Sequence, residues 1–120
     1  MTDEAPTPQD MLPLTPVVLH MLLALADGEK HGYAMMKAVE EDTNGQMQIR
    51  VGSLYGSIQR MIDARLIEET DERPVPELDD QRRRYYQLTD FGKRVLRAEM
   101  QRLTHLVGLA KAKHVLGIIV

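Results

Sequence analysis

The sequence contains no cysteine, no tryptophan and a single phenylalanine in 120 residues. Zero cysteine excludes a disulfide scaffold, thiol redox chemistry and thiolate metal sites, and it fits a reducing compartment, so a cytoplasmic location is expected. No window approaches the run of about 18 apolar residues that a membrane span requires, and no membrane partner is expected. The opening segment MTDEAPTPQD is acidic and polar, the reverse of a secretory signal peptide. Catalytic signatures are missing too: there is no cysteine nucleophile, no phosphate-cradling glycine loop and no paired carboxylate in a plausible pocket. Asp79-Asp80 sits in a polar loop, where solvated charge is the simpler reading. The chain is therefore not expected to be an enzyme. His105 and His114 are nine apart, on opposite faces of a helix, and neither they nor His20 and His31 have a cysteine for company. No metal or other cofactor is expected, and His31 reads better as a residue that starts a helix.

What is present is unevenly spread charge. Fifteen Lys and Arg against 18 Asp and Glu give a net charge of −3, which taken alone argues against a nucleic-acid binder. Residues 1–29 hold five acidic groups and no Lys or Arg, and residues 66–81 hold seven acidic groups with only Arg73. Residues 82–97, RRRYYQLTDFGKRVLR, reverse the balance with six basic groups against Asp90 alone. A polyanion responds to the local field, so the mean conceals a basic stretch. A negative body with such a stretch predicts modest nonspecific affinity for DNA rather than none.

The apolar pattern divides a chain of single-domain length into ordered elements. Residues 1–13, with Pro6, Pro8 and Pro13, read as a flexible N-terminal arm. Thr15-Pro16 supplies an N-cap and a first-turn proline for a helix through VVLHMLLALA, apolar almost all round and so buried on more than one side. A second helix is predicted over about 31–42, with Ala34, Met35, Ala38 and Val39 on its core face and Tyr33, Lys37 and Glu40 opposite. A third, from about Gly52-Ser53 to Ala64, buries Leu54, Ile58, Met61 and Ile62. Its other side, Ser53, Gly56, Ser57 and Arg60, is small and polar with one long cation, whereas solvated helix faces usually carry Glu and Lys. Residues 66–70 and 84–88 read as two short strands of a β-hairpin around the polar loop DERPVPELDDQ. Thr89 caps a last helix whose apolar positions Leu96, Met100, Leu103, Val107 and Ala110 are spaced 4, 3, 4, 3, a heptad seam widened by Leu106 and Leu109. The fold class is mainly α with a small β-hairpin, in the order of a winged helix-turn-helix plus a long C-terminal helix. Its parts are the winged domain over 14–88, the C-terminal helix over 89–114 and an apolar tail over 115–120.

Leu25-Ala26-Asp27-Gly28 with His31-Gly32-Tyr33, then Gly52-Ser53-Leu54-Tyr55, Arg60-Met61, Leu66-Ile67-Glu68, and finally Arg84-Tyr85-Tyr86-Gln87-Leu88-Thr89 with Gly92, together resemble the PadR family of bacterial transcriptional regulators over about residues 14–103. The resemblance implies a dimeric repressor with one winged helix per subunit. It is to the short-tailed branch, in which the C-terminal helix packs with the first helix to make the homodimer. On that pattern Val18, Met21 and Leu22 would meet Leu96, Met100, Leu103, Val107 and Ala110. It also implies release by a small hydrophobic or phenolic effector held in or near the interface. The chain departs from the pattern in its apolar tail and in having no indole for a ligand to stack on.

Double-stranded DNA with a pseudo-palindromic operator is the partner so implied, with two reader helices presented by two-fold symmetry. Tyr33 and Lys37 would touch phosphates, which position a protein on the duplex, or else form a half-buried ring and a solvated amine. Ser53, Tyr55, Gly56, Ser57 and Arg60 would line or flank the reader face, Tyr55 equally as a packing aromatic. Arg60 would bond a guanine bidentately or clamp a phosphate. Arg82, Arg83 and Arg84 at the wing base would reach phosphates or the minor groove. Side chains alternate along a strand, so not all three can do so at once. The alternative is a winged-helix module that binds protein instead, in keeping with the acidic arm and wing tip.

Overall fold

The computed structural model describes residues 5–70 and 84–117. Four helices and three short strands follow in order: α1 Pro16–Ala24, β1 Lys30–His31, α2 Gly32–Asp42, α3 Val51–Asp63, β2 Ile67–Thr70, β3 Tyr85–Leu88 and α4 Asp90–Ala112. Local chemistry sets most boundaries. The Thr15 hydroxyl accepts the Val18 N–H to cap α1, His31 Nδ1 accepts the Ala34 N–H to cap α2, and the Thr89 hydroxyl accepts the Gly92 N–H to cap α4. Between α2 and α3 the chain turns through Gly45 at φ +79°, whose N–H returns to the Glu40 carbonyl; a residue with a side chain is strained there.

The core gathers one face of every helix. Met21 and Leu22 of α1, Met35 and Val39 of α2, Leu54, Ile58 and Met61 of α3, and Val95 and Leu96 of α4 all bury there with Ile67 and Tyr86 of the sheet. Burial raises the Tyr86 phenol above its ordinary range, with Glu69 adding to the effect.

Among the described residues the sheet has three strands rather than two. β3 lies centrally, antiparallel to β2 on one side and to the two-residue β1 on the other, with Lys30 opposite Tyr86. The loop between β2 and β3, with Arg82 and Arg83, lies outside the described residues.

Of the segment 1–13, expected as a flexible arm, the part from Thr7 on packs against the subunit. Pro8–Met11 form a 3₁₀ turn, closed by reciprocal bonds between Thr7 and Asp10 and packed against α4. Met11, Leu12 and Leu14 pack on the core, and the Leu14 N–H donates to Glu99 Oε2 at 3.0 Å. Glu99 is 1% exposed and takes two further bonds from Arg102, at 2.6 and 3.1 Å. The Arg102 guanidinium holds this carboxyl below its ordinary range despite burial. Acidic, Pro-bearing composition reads as disorder; a buried carboxylate 85 residues away supplies the anchor.

Candidate nucleic-acid interface

α3 has a buried and an open side. Leu54, Ser57, Ile58 and Met61 are buried. With about 100° between successive residues, this leaves Gly52, Gly56, Gln59 and Asp63 facing away from the core. Val51 and Tyr55 lie along one flank, 60% and 55% exposed, and Ser53 and Arg60 along the other. The open side is small for no internal reason. A Cβ at Gly52 would meet nothing within 4 Å, and one at Gly56 would meet only the Arg60 guanidinium at 3.6 Å. Each glycine costs a helix about 1 kcal/mol relative to alanine. Packing among the described residues does not require either of them, and both let an outside surface approach the helix backbone.

Ser57 departs from its expected place. It is 5% exposed, on the core side of α3, and its Oγ accepts a bond from Arg60 Nη2 at 3.0 Å. A serine is small enough to sit at the core edge once its oxygen has a donor, so here it orients Arg60 rather than facing outward. Gln59 and Val51 belong to the open side although the sequence pattern did not single them out. Gln59 Nε2 donates to Asp63 Oδ1 at 2.9 Å. Val51 is spaced from Leu54 and Ile58 like a core residue, but it stands in the first turn, beyond the edge of the core. Only its position in the fold reveals it.

α2 adds to the same surface. Tyr33 is 54% exposed, and the Lys37 ammonium lies 5.9 Å from the centre of its ring. The Tyr55 ring leans on the start of α2, where a Cβ on Gly32 would come within 3.2 Å of it. It is thus a packing aromatic and an exposed one at once. Arg84, just ahead of the central strand, is held in an exposed ion pair with Glu69 at 3.2 Å; such pairs are weak, and a phosphate can replace the carboxylate. Arg82 and Arg83 fall outside the described residues, so the wing base is represented by Arg84 alone.

The seam residues separate into two groups. Met21 and Leu22 are fully buried within their own chain, and Leu96 is 8% exposed, so these three belong to the subunit core rather than to a surface. They are fully apolar, and fold-internal neighbours reach them first. Val18 and Met100 are partly buried against the core. Leu103 and Ala110 are half-buried, whereas Leu106, Val107 and Leu109 are 42–46% exposed, and Val115 and Leu116 are exposed beyond the helix end.

No group of three or more His, Cys, Asp or Glu that could hold a metal occurs among the described residues, and no described helix is long and apolar enough to cross a membrane.

The fold has solved relatives. A PadR-like transcriptional regulator from Bacillus cereus matches with a TM-score of 0.67 at 22% identity, covering 85% of this chain and 92% of that one. A PadR family transcription regulator from Clostridium difficile matches with a TM-score of 0.65 at 21% identity, covering 82% and 97%. PadR of Bacillus subtilis matches with a TM-score of 0.58 at 22% identity, covering 73% of this chain and 48% of that one. In sequence, an uncharacterized 37.1 kDa protein of a Streptomyces fradiae transposon is 33% identical over 88 residues, and the match spans 73% of this chain but only 23% of that protein. The family model for PadR-like transcriptional regulators covers residues 21–98, from the core of α1 through the sheet into α4. The chain belongs to the PadR-like family of transcriptional regulators.

Proposed function

We propose that the chain binds operator DNA as a homodimer, laying the open side of α3 in the major groove. The observation that carries this is the face of α3 itself. Gly52 and Gly56, unneeded for packing, are flanked by Val51 and Tyr55 on one side and by Ser53 and Arg60 on the other. Small residues admit the helix to the groove, apolar ones suit thymine methyl groups, and an arginine suits guanine. Tyr33, Lys37 and Arg84 are placed to take phosphates, with Arg82 and Arg83 as further candidates at the wing base. The Bacillus subtilis relative is described in complex with operator DNA, which supports the same use of the fold here.

The homodimer reading rests on the far half of α4. Leu106, Val107 and Leu109 stand exposed on a helix of 23 residues, with Leu103 and Ala110 half-covered beside them. A second copy packed along this seam with Val18 and Met100 would cover them and set two α3 helices on one face of a pseudo-palindromic site. Repression relieved by a small effector completes the reading.

The test is a titration of duplex DNA from the promoter beside the gene, followed by fluorescence anisotropy over a range of salt. Saturable binding to one site with a steep loss of affinity as salt rises is expected. An absence of binding even at low salt overturns the reading in favour of a module that binds protein.

A further inference from the structure

Ser57 is a costly residue for its place. It is buried on the core side of α3, where an alanine would fill almost the same space and form helix more readily. A hydroxyl taken out of water there is unfavourable unless it is bonded. Its oxygen accepts from Arg60 Nη2 at 3.0 Å. Ser53, one turn earlier, is exposed and donates instead to the Arg50 carbonyl at 3.2 Å. The Arg60 side chain folds back toward the start of the helix, so its guanidinium lies beside Gly56 and Ser57 rather than beside its own Cα. A Cβ on Gly56 would stand 3.6 Å from Nη1, and glycine leaves that side of the guanidinium clear of one. The bond has a stereochemical consequence. A guanidinium has two edges that present a parallel pair of N–H groups, Nε with Nη2 and Nη1 with Nη2. Nη2 contributes one N–H to each edge. Giving one of them to Ser57 therefore occupies one edge and leaves the other complete.

We propose that Ser57 is a positioning residue for base recognition: it fixes the Arg60 guanidinium so that one bidentate edge is offered to the two acceptors of a guanine in the major groove. The inference rests on the DNA-binding reading and deepens it, because it names what sets the preference for one base. A fixed arginine discriminates in two ways. It meets guanine without first losing the rotamer freedom of a long side chain. Faced with adenine, whose amino group is itself a donor, it is held in place and does not swing away to a phosphate. An arginine freed from Ser57 gives up both advantages. It must be ordered by the guanine, and at adenine it escapes to the backbone.

The test uses the full chain and a panel of operator duplexes in which each G·C pair in turn is replaced by A·T, with affinities read by fluorescence anisotropy. In the wild type, replacing the guanine that Arg60 reads should weaken binding about tenfold. Arg60→Lys has no parallel pair to offer and should reduce that penalty to about twofold or less. Ser57→Ala, checked for an intact fold by circular dichroism, should bring the same penalty down to about threefold. In the Arg60→Lys background Ser57→Ala should change the penalty no further. Without DNA, the two Nη signals of Arg60 should be separate in heteronuclear NMR spectra of the wild type and merge in Ser57→Ala. The proposal is overturned, with the DNA reading left standing, by a Ser57→Ala variant that keeps the full guanine penalty. The same follows from an effect of Ser57→Ala that persists beside Arg60→Lys, from a panel with no Arg60-dependent position, or from merged signals in the wild type. A wild type that binds no duplex even at low salt removes the DNA reading and the proposal with it.

Discussion

The two halves of α4 are one continuous helix with opposite surroundings. From Asp90 to Met100 it is built into the subunit: Gly92, Val95, Leu96 and Glu99 are buried, and Phe91 and Met100 pack on the core. From Gln101 onward every residue is exposed or only half-covered. The apolar spacing is the same in both halves. A heptad seam therefore declares that something covers it, but not whether the cover is the same chain or another. The neighbours decide, and among the described residues none buries a position of the helix beyond its first three turns.

The sharpest way to break the near half is Gly92. A Cβ there would overlap the Leu66 carbonyl, a backbone atom that cannot step aside. Gly92→Ala should destabilise the subunit by about 3 kcal/mol or more, read as a collapse of the urea midpoint. An unchanged midpoint would show that α4 is not seated against the α3–β2 turn.

Glu99 comes next, since it ties both the N-terminal segment and Arg102 to the near half. Glu99→Ala leaves the Leu14 N–H without its acceptor and should cost about 2–3 kcal/mol. Its pH dependence has a definite sign. The folded carboxyl lies below its ordinary value of 4.5, so the ionised form is favoured by folding. The stabilisation is complete above that value and is lost as pH falls through the lowered one. The gap in stability between wild type and Glu99→Gln should be flat near neutrality and close in acid. A gap that widens in acid would contradict the bonding described for Glu99.

The far half predicts the smallest change in the subunit and a large change in assembly. Val107→Asp should alter subunit stability by no more than about 0.5 kcal/mol, because Val107 is 46% exposed and stands outside the core. It should also shift the particle from dimer to monomer in sedimentation velocity. A wild-type chain that already sediments as a monomer would refute the seam.

Much of this plan could be read from residue order. Thr15 and Thr89 announce their helices because a capping hydroxyl is a local device, and the stripe Leu54, Ile58 and Met61 marks the inner side of α3 by period alone. Features that depend on distant partners were hidden. Lys30-His31 is too short to show a strand pattern and becomes one only by lying beside Tyr85 and Tyr86. The Pro8–Met11 turn lies against α4, and Glu99 holds the chain just beyond it at Leu14. In the candidate interface, Tyr33, Lys37, Tyr55, Gly56 and Arg60 are exposed where their spacing places them, while Ser57 turned inward because a hydroxyl bonded to a neighbouring guanidinium tolerates the core edge. Met21 and Leu22 show the converse: apolar character marks burial, and the nearest apolar neighbours were in their own chain.

The junction at Leu66 has a mechanical consequence. The Thr89 N–H and hydroxyl both donate to the Leu66 carbonyl, the hydroxyl also reaches the Arg65 carbonyl at 2.6 Å, and α4 begins at the very next residue. The exit of α3 and the entry of α4 thus form a single joint with no slack. Moving this end of α4 would break the bonds that hold it to the exit of α3. In the two-fold assembly proposed above, the far seam would set how the two α3 helices sit relative to one another. Changing that arrangement would call for substitutions along Leu103–Ala110, outside α3 altogether.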